Sequence, residues 1–168
     1  MMDNGAQKHA ISLYVANKPG VLIRISLVFA RRGYNIDSLV VSEAHDPDFS
    51  RMNIEASGDK RTLDQILHQL NKLVDVVHAK DNTGEDVIAR EFTLIKVQCP
   101  SELRAEVLLV AHAFESETVD LSEDTITLQI SGESRKMDSI HTVFNKYGVL
   151  EMVRSGKIII ARGSHRTS

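Results

Sequence analysis

Asn17, Gly20 and Asn35 are the residues whose types and spacing best suit recognition of a small molecule. The junction Val15-Ala16-Asn17-Lys18-Pro19-Gly20-Val21-Leu22 runs from an alternating apolar segment (Ile11, Leu13, Val15) straight into a helix-period pattern. Such a turn aims the unpaired amides of a helix N-terminus at whatever lies above it, and those amides suit a carboxylate or phosphate. Gly20 removes the side chain that would block close approach. A purely structural explanation stays open, with Pro19 near the first helical position and Asn17 capping the backbone. Asn35 supplies a second carboxamide, from the same subunit or across a dimer. Backbone amides would then take a carboxylate while the Asn side-chain oxygens take an ammonium.

Catalytic chemistry is harder to assemble from this chain. A catalyst needs a nucleophile–base pair, paired carboxylates, a metal cluster or a cofactor fingerprint. None of the seven histidines stands in a metal-ligand spacing such as HExxH. His45, Asp46 and Asp48 cluster in a loop that reads as a solvated hairpin tip. Neither GxGxxG nor GxxxxGK[ST] occurs, so no nucleotide loop is expected. Cys99 is the single cysteine and closes an apolar run, which suits packing better than reaction and fits a reducing, cytoplasmic setting. The expectation is a chain with no catalytic residue, no metal and no cofactor of its own.

The elements that must position the junction follow from periodicity. Residues 9–15 alternate as a half-buried strand. Val21, Leu22, Ile25, Val28 and Phe29 fall on one helical face, with Gly33 as a C-cap. Strands are expected at about 35–42, around Met52–Ala56, and at 74–79, with a helix carrying Leu63, Ile66, Leu67, Leu70 and Leu73 before the last. The order then repeats: a strand at 91–98, a helix from Leu103 to Phe114, strands near 116–121 and 125–131, a helix carrying Met137 to Tyr147, and strands near 149–154 and 157–161. Ser57-Gly58-Asp59 and Ser131-Gly132-Glu133 stand at matching places. The fold class is therefore α+β, two tandem ferredoxin-like βαββαβ units, each a four-stranded antiparallel sheet with two helices on one face. The expected boundaries are 9–79 for the first unit, 80–89 for a polar linker containing Asn82-Thr83-Gly84, and 90–163 for the second.

Composition narrows the partners. A net charge of −3 gives no nucleic-acid footprint. RNA-binding domains of this fold put aromatics on the open sheet face, yet Asp37–Ser42 and Arg51–Ala56, read as the central strands, contain none. No apolar run approaches a membrane span, and Met1–Lys8 lacks a signal-peptide core. The second strand offers Leu39 and Val41 on one face and Ile36 and Val40 on the other, so a neighbouring subunit is expected to cover the open side.

At these residues the chain resembles a known family. Asn17-Lys18-Pro19-Gly20-Val21-Leu22 and Phe29-Ala30-Arg31-Arg32-Gly33-Tyr34-Asn35-Ile36 look like the ACT domain of acetolactate synthase small subunits. Ser50-Arg51-Met52, Lys72-Leu73-Val74-Asp75-Val76, Arg90-Glu91 and Val153-Arg154-Ser155-Gly156 extend the likeness over about His9 to Gly163. The resemblance implies that the first unit is an ACT domain. It implies a regulatory subunit that activates a separate catalytic large subunit, which carries thiamine diphosphate, Mg²⁺ and FAD. It also implies feedback inhibition by valine, or by leucine or isoleucine, at a homodimer interface between ACT domains. Matching positions are Asn17, Gly20, Val21 and Leu22 from one subunit, with Asn35 and Ile36 from the other, and Pro19 beside Gly20 is counted with the effector-binding residues. Lys18-Pro19 departs from the small or polar residues that members often carry there. The second unit lacks a Gly-rich approach at Pro100-Ser101-Glu102, so a second copy of the site is not expected. The alternative reading is a free-standing ACT-type amino-acid sensor that regulates another enzyme or a transcription factor.

Overall fold

The structure, a computed structural model, describes residues 7–167; the expectation placed on the first few residues lies outside them. The chain divides into two compact units, residues up to Ala89 together with those from Lys157 onward, and Arg90–Gly156. In the first unit the elements are β1 (Gln7–Ala16), α1 (Val21–Ala30), β2 (Ile36–Glu43), β3 (Phe49–Gly58), α2 (Lys60–Leu70) and β4 (Val76–Asp81). Its antiparallel sheet has the order β2-β3-β1-β4. Alternation decides the faces. Ile11, Leu13 and Val15 of β1 and Met52, Ile54 and Ala56 of β3 turn inward, onto Val21, Ile25 and Phe29 of α1 and Leu63, Ile66 and Leu70 of α2.

The second unit is built on β5 (Val87–Gln98), which starts in the first unit, followed by α3 (Arg104–Ala113), β6 (Glu117–Leu121), β7 (Thr125–Gly132), α4 (Ser134–Phe144), a 3₁₀ turn (Asn145–Tyr147) and β8 (Val149–Arg154). Its strand order is β6-β7-β5-β8, the same as in the first unit. The core joins Ile95, Val97, Ile126 and Leu128 to Val107, Ile140 and Phe144, with Cys99 fully buried among them. The tandem α+β fold expected from the sequence is the observed one.

Several details differ from the sequence reading. Lys80 and Asp81 still belong to β4, and β5 begins at Val87, so only a short turn separates the strands where a ten-residue linker was expected. β4 starts at Val76, and Val74 lies fully exposed in the preceding loop. A last strand, β9 (Ile158–Ala161), hydrogen-bonds to β5. Its flanks are tied into the first unit by Lys157 to Glu55 at 2.7 Å and Arg162 to Asp86 at 2.8 Å. Residues 157–163, assigned by the repeat to the second unit, thus belong to the first compact body.

The second strand also carries less apolar surface on its open face than the alternation suggests. Its register on β3 shifts between Ile36 and Ser38, a bulge at Asp37. The extra residue places Ile36 opposite Ala56, on the same face as Leu39 opposite Ile54. Ile36 and Leu39 both pack on the core, which leaves Val40, opposite Asn53, as the apolar residue on the other face. β2 is an edge strand and β1 takes the central place beside β3. That placement brings one aromatic pair to the open face: Tyr14 stacks on Phe49 at 4.9 Å, with the Arg51 guanidinium 5.1 Å from the Tyr14 ring centre. The rings face each other rather than standing apart to receive bases, and Ser12, Asn53 and Glu55 continue the same face. No helix of the described residues is long and apolar enough to cross a membrane.

Candidate functional site

Helix α1 begins where the sequence places it. Gly20 is the N-cap, in the left-handed conformation with φ 84°. A glycine is favoured there because a Cβ in that region clashes with the backbone. No side chain caps the helix. The Arg24 amide reaches the Gly20 carbonyl at 3.1 Å, which leaves the amides of Leu22 and Ile23 in the first turn without an intrahelical acceptor. Val21 is buried in the core, so it offers the site its backbone only. Leu22 and Pro19 are exposed.

Asn17 does not cap α1. Its Nδ2 donates to the Pro47 carbonyl at 2.9 Å, and its amide reaches the Asp48 carbonyl at 2.8 Å. The residue therefore binds the β2–β3 loop to the junction and leaves its side-chain oxygen as an exposed acceptor. His45, Asp46 and Asp48 form this loop, and among the described residues no group of three or more His, Cys, Asp or Glu is placed to hold a metal ion.

Arg24 is the residue that the sequence reading missed. Its Nη1 lies 3.2 Å from where a Cβ on Gly20 would stand. Its Nη2 donates to Asp75 Oδ2 at 2.6 Å. Asp75 sits in the α2–β4 loop, whose backbone is fixed by Ala16 N–H to Asp75 O at 2.7 Å. Asn71 staples that loop at its start: its Nδ2 donates to the Leu67 and Ala79 carbonyls and its Oδ1 accepts from the Ala79 amide. A signal was present, since Arg24 is the one charged residue in VLIRISLVFA and lies one turn after Gly20. A guanidinium near a helix N-terminus opposes the macrodipole by about 0.3–1 kcal/mol, and no acidic residue occupies the first turn to offset it. An anion above Gly20 would satisfy both the amides and Arg24.

Asn35 and Ile36 lie elsewhere in the same protomer. Ala16 pairs with Phe49 and Ile36 with Ala56, so the two halves of the expected site sit seven residues apart along β3, about 24 Å at about 3.4 Å per residue. Asn35 is exposed and its Nδ2 donates to Asp37 Oδ1 at 3.0 Å. The Ile36 side chain packs on the core. One chain does not bring these residues to Asn17 and Gly20.

The remaining shared words have structural work. Tyr34 lies over Gly58 and donates from its hydroxyl to the Asp59 carbonyl, and burial followed by the nearby Asp59 charge raises its pKa. Asp59 caps α2, accepting from the Thr62 amide at 2.8 Å, and that bond holds its carboxyl below the usual range. Glu91 is buried at 3% exposure and takes Arg154 Nε at 2.9 Å and Nη2 at 2.6 Å, with the Ser134 hydroxyl on its other oxygen. Arg154 also reaches Asp138 at 2.6 Å. Burial works against the Arg154 charge, but Asp138 and Glu91 outweigh it and raise its pKa. Ser155 accepts from the Phe92 amide, so Arg90-Glu91 and Val153-Arg154-Ser155 are two ends of one cluster in the second unit.

Comparison with known proteins gives two consecutive matches along the chain, the second running past Gly156 to residue 163. An AHAS small subunit-like ACT domain matches residues 11–78, and the small subunit of acetolactate synthase matches 90–163. A probable acetolactate synthase small subunit of Methanothermobacter thermautotrophicus is 39% identical over 98% of this chain and 98% of its own length. The chain belongs to the acetolactate synthase small-subunit family. The acetolactate synthase small subunit of Mycolicibacterium smegmatis is 36% identical over 96% of this chain and 95% of its own. The crystal structure of the Thermotoga maritima small subunit superposes with a TM-score of 0.84 at 33% identity, covering 95% of this chain and 99% of that one. Membership of the family supports a regulatory rather than a catalytic role for this chain.

Proposed function

We propose that this chain is the non-catalytic regulatory subunit of an acetolactate synthase, activating a separate large subunit and conferring feedback inhibition by valine in the cytoplasm. Thiamine diphosphate, Mg²⁺ and FAD belong to the large subunit in this reading. The observation that carries the effector site is Arg24, held by Asp75 beside the side-chain-free Gly20 at the amides of α1. The valine carboxylate lies on these groups and its ammonium meets the Asn17 side-chain oxygen.

The site is completed by Asn35 and the backbone at Ile36 of a second copy, because one protomer holds them about 24 Å away. The unpaired edge of β2 and the outward apolar face of α1, with Ile23 66% and Leu27 44% exposed, give the surface for that association. Burying the isopropyl group contributes about 1.5–3 kcal/mol. Preference for valine over leucine or isoleucine by pocket size is worth about 1–3 kcal/mol. Useful feedback needs about 1–3 kcal/mol of coupling between effector and large subunit.

The test is an acetolactate synthase assay of the cognate large subunit with and without this chain, titrated with valine, leucine and isoleucine. Activation by the chain and saturable inhibition by one of the three support the proposal. A large subunit whose rate is unchanged by the chain, and which does not co-purify with it, would leave a free-standing amino-acid sensor as the better reading.

A further inference from the structure

Two side chains of the first unit are buried with polar atoms unsatisfied. Asn82 is 3% exposed with no hydrogen-bond partner for Nδ2, and His9 is 1% exposed with no hydrogen-bond partner for Nδ1, which lies 3.9 Å from Asp81 Oδ2. Asn82 is fixed by its backbone, N–H to the Ala10 carbonyl at 2.7 Å, at the turn between β4 and β5. A cavity of about 420 Å³ opens beside it, walled by Lys80, Glu85, Asp86, Arg162, His165 and Arg166 among others. A second cavity of about 200 Å³ shares Asn82, Glu85 and Val87 with the first and adds Lys8, His9, Glu55 and Lys157.

The charges on these walls do not cancel. Each carboxylate is taken: Glu85 by Lys80 at 3.6 Å, Asp86 by Arg162 at 2.8 Å, Glu55 by Lys157 at 2.7 Å. Lys8 and Arg166 have no ionic partner among the described residues. Arg166 therefore adds an unpaired cation to the larger cavity and Lys8 to the smaller, and the unsatisfied Asn82 side chain lines both. A buried donor without an acceptor is unfavourable, and clefts lined by one excess sign concentrate counter-ions.

We infer that the basin around Asn82 is a binding site for a small dianion, a phosphate monoester or a dicarboxylate, with Asn82 Nδ2 and Arg166 as its donors. It is separate from the α1 N-terminus, since Asn82 is bonded to Ala10 and Asn17 lies seven residues further along the chain, about 24 Å in extended backbone.

Isothermal titration of the full chain with inorganic phosphate and with succinate tests this, together with NMR of the Asn82 side-chain amide. Saturable binding of either near or below about 1 mM is expected, with the Asn82 amide resonances moving. Saturation by one probe and not the other identifies the source. Arg166→Gln, at an exposed position, should weaken binding by about tenfold or more, and Asn82→Asp, which puts a carboxylate where the donor stood, should remove it. Arg24→Gln should leave this binding intact, and Arg166→Gln should leave any valine titration intact. No saturation by either probe overturns the inference. So does equal affinity in the Arg166→Gln protein, or loss of binding in Arg24→Gln.

Discussion

Replacing Gly20 by Asp tests the site most directly. The φ of 84° is left-handed, so any side chain there costs about 1–2 kcal/mol. The new Cβ would lie 3.2 Å from Arg24 Nη1, close enough for the Asp carboxylate to take that guanidinium. A half-exposed pair of this kind returns only about 0–1 kcal/mol, so the variant should melt lower. At about 4–8 °C per kcal/mol for a unit of this size, the shift is several degrees. Valine loses a charge-assisted bond worth about 1.5–3 kcal/mol, so its affinity should fall about 10- to 150-fold. The assays are isothermal titration with valine and the valine concentration for half inhibition of the large subunit, with activation retained. Gly20→Ala carries the same backbone strain and a Cβ close to Arg24 without the charge, so it should weaken valine binding less than Gly20→Asp does. Two results refute the reasoning. If Gly20→Asp binds valine like the parent, the effector is not at α1. If Asp and Ala weaken binding equally, strain rather than charge is responsible.

Three other outcomes are expected. A Cβ on Gly58 would come within 2.2 Å of Tyr34 Cζ, in the core, whereas one on Gly132 meets the flexible Lys136 Cδ at 2.7 Å. Gly58→Ala should therefore cost about 1–3 kcal/mol of stability and Gly132→Ala much less, and equal denaturation midpoints would contradict the close-approach argument. Arg154→Ala leaves the buried Glu91 charge without its partner and should destabilise the second unit by about 3 kcal/mol; an unchanged urea midpoint argues against that cluster. Asp59 is held below its usual pKa by the Thr62 amide and hydroxyl, and Glu106 by Tyr147 and then Lys146. Burial opposes the charge of Asp81, but Thr83 and Lys60 outweigh it and lower its pKa as well. A depressed folded pKa means stability that is present above the unfolded pKa of about 4 and lost as pH falls through the folded value. The melting temperature should drop below about pH 4, and Asp59→Asn, which keeps a capping oxygen that cannot titrate, should start lower and drop less. An identical pH profile for the two proteins would refute this assignment.

Local pattern made most of the architecture legible. Ile11, Leu13 and Val15 alternate, Val21, Ile25 and Phe29 recur at helical spacing, and both patterns report which side of an element faces the core. The same reading failed at Asp37, where one bulged residue returned Ile36 to the core face. It also failed for the strand order, which made β1 central and brought Tyr14 beside Phe49 on the open face. Bulges and strand neighbours are chosen by pairing between segments, which a period within one segment does not encode.

The candidate site divides along the same line. The glycine and the helix start were written in Asn17–Leu22, whereas only the structure showed that Asn17 binds the β2–β3 loop and leaves α1 uncapped. Arg24 stood out as the lone charge in α1, but its holder, Asp75, is 51 residues away in sequence. Glu91 and Arg154 meet across 63 residues, and Lys157 returns to Glu55 across 102. Residue order by itself determined two repeated α+β units and where an anion-ready helix N-terminus falls, because propensity and periodicity are local. Only the closed tertiary structure decided that Arg24 stands over Gly20, that Asn35 lies at the far end of the sheet, and that the last residues complete the first unit. Those contacts exist only once distant segments share one core and one sheet.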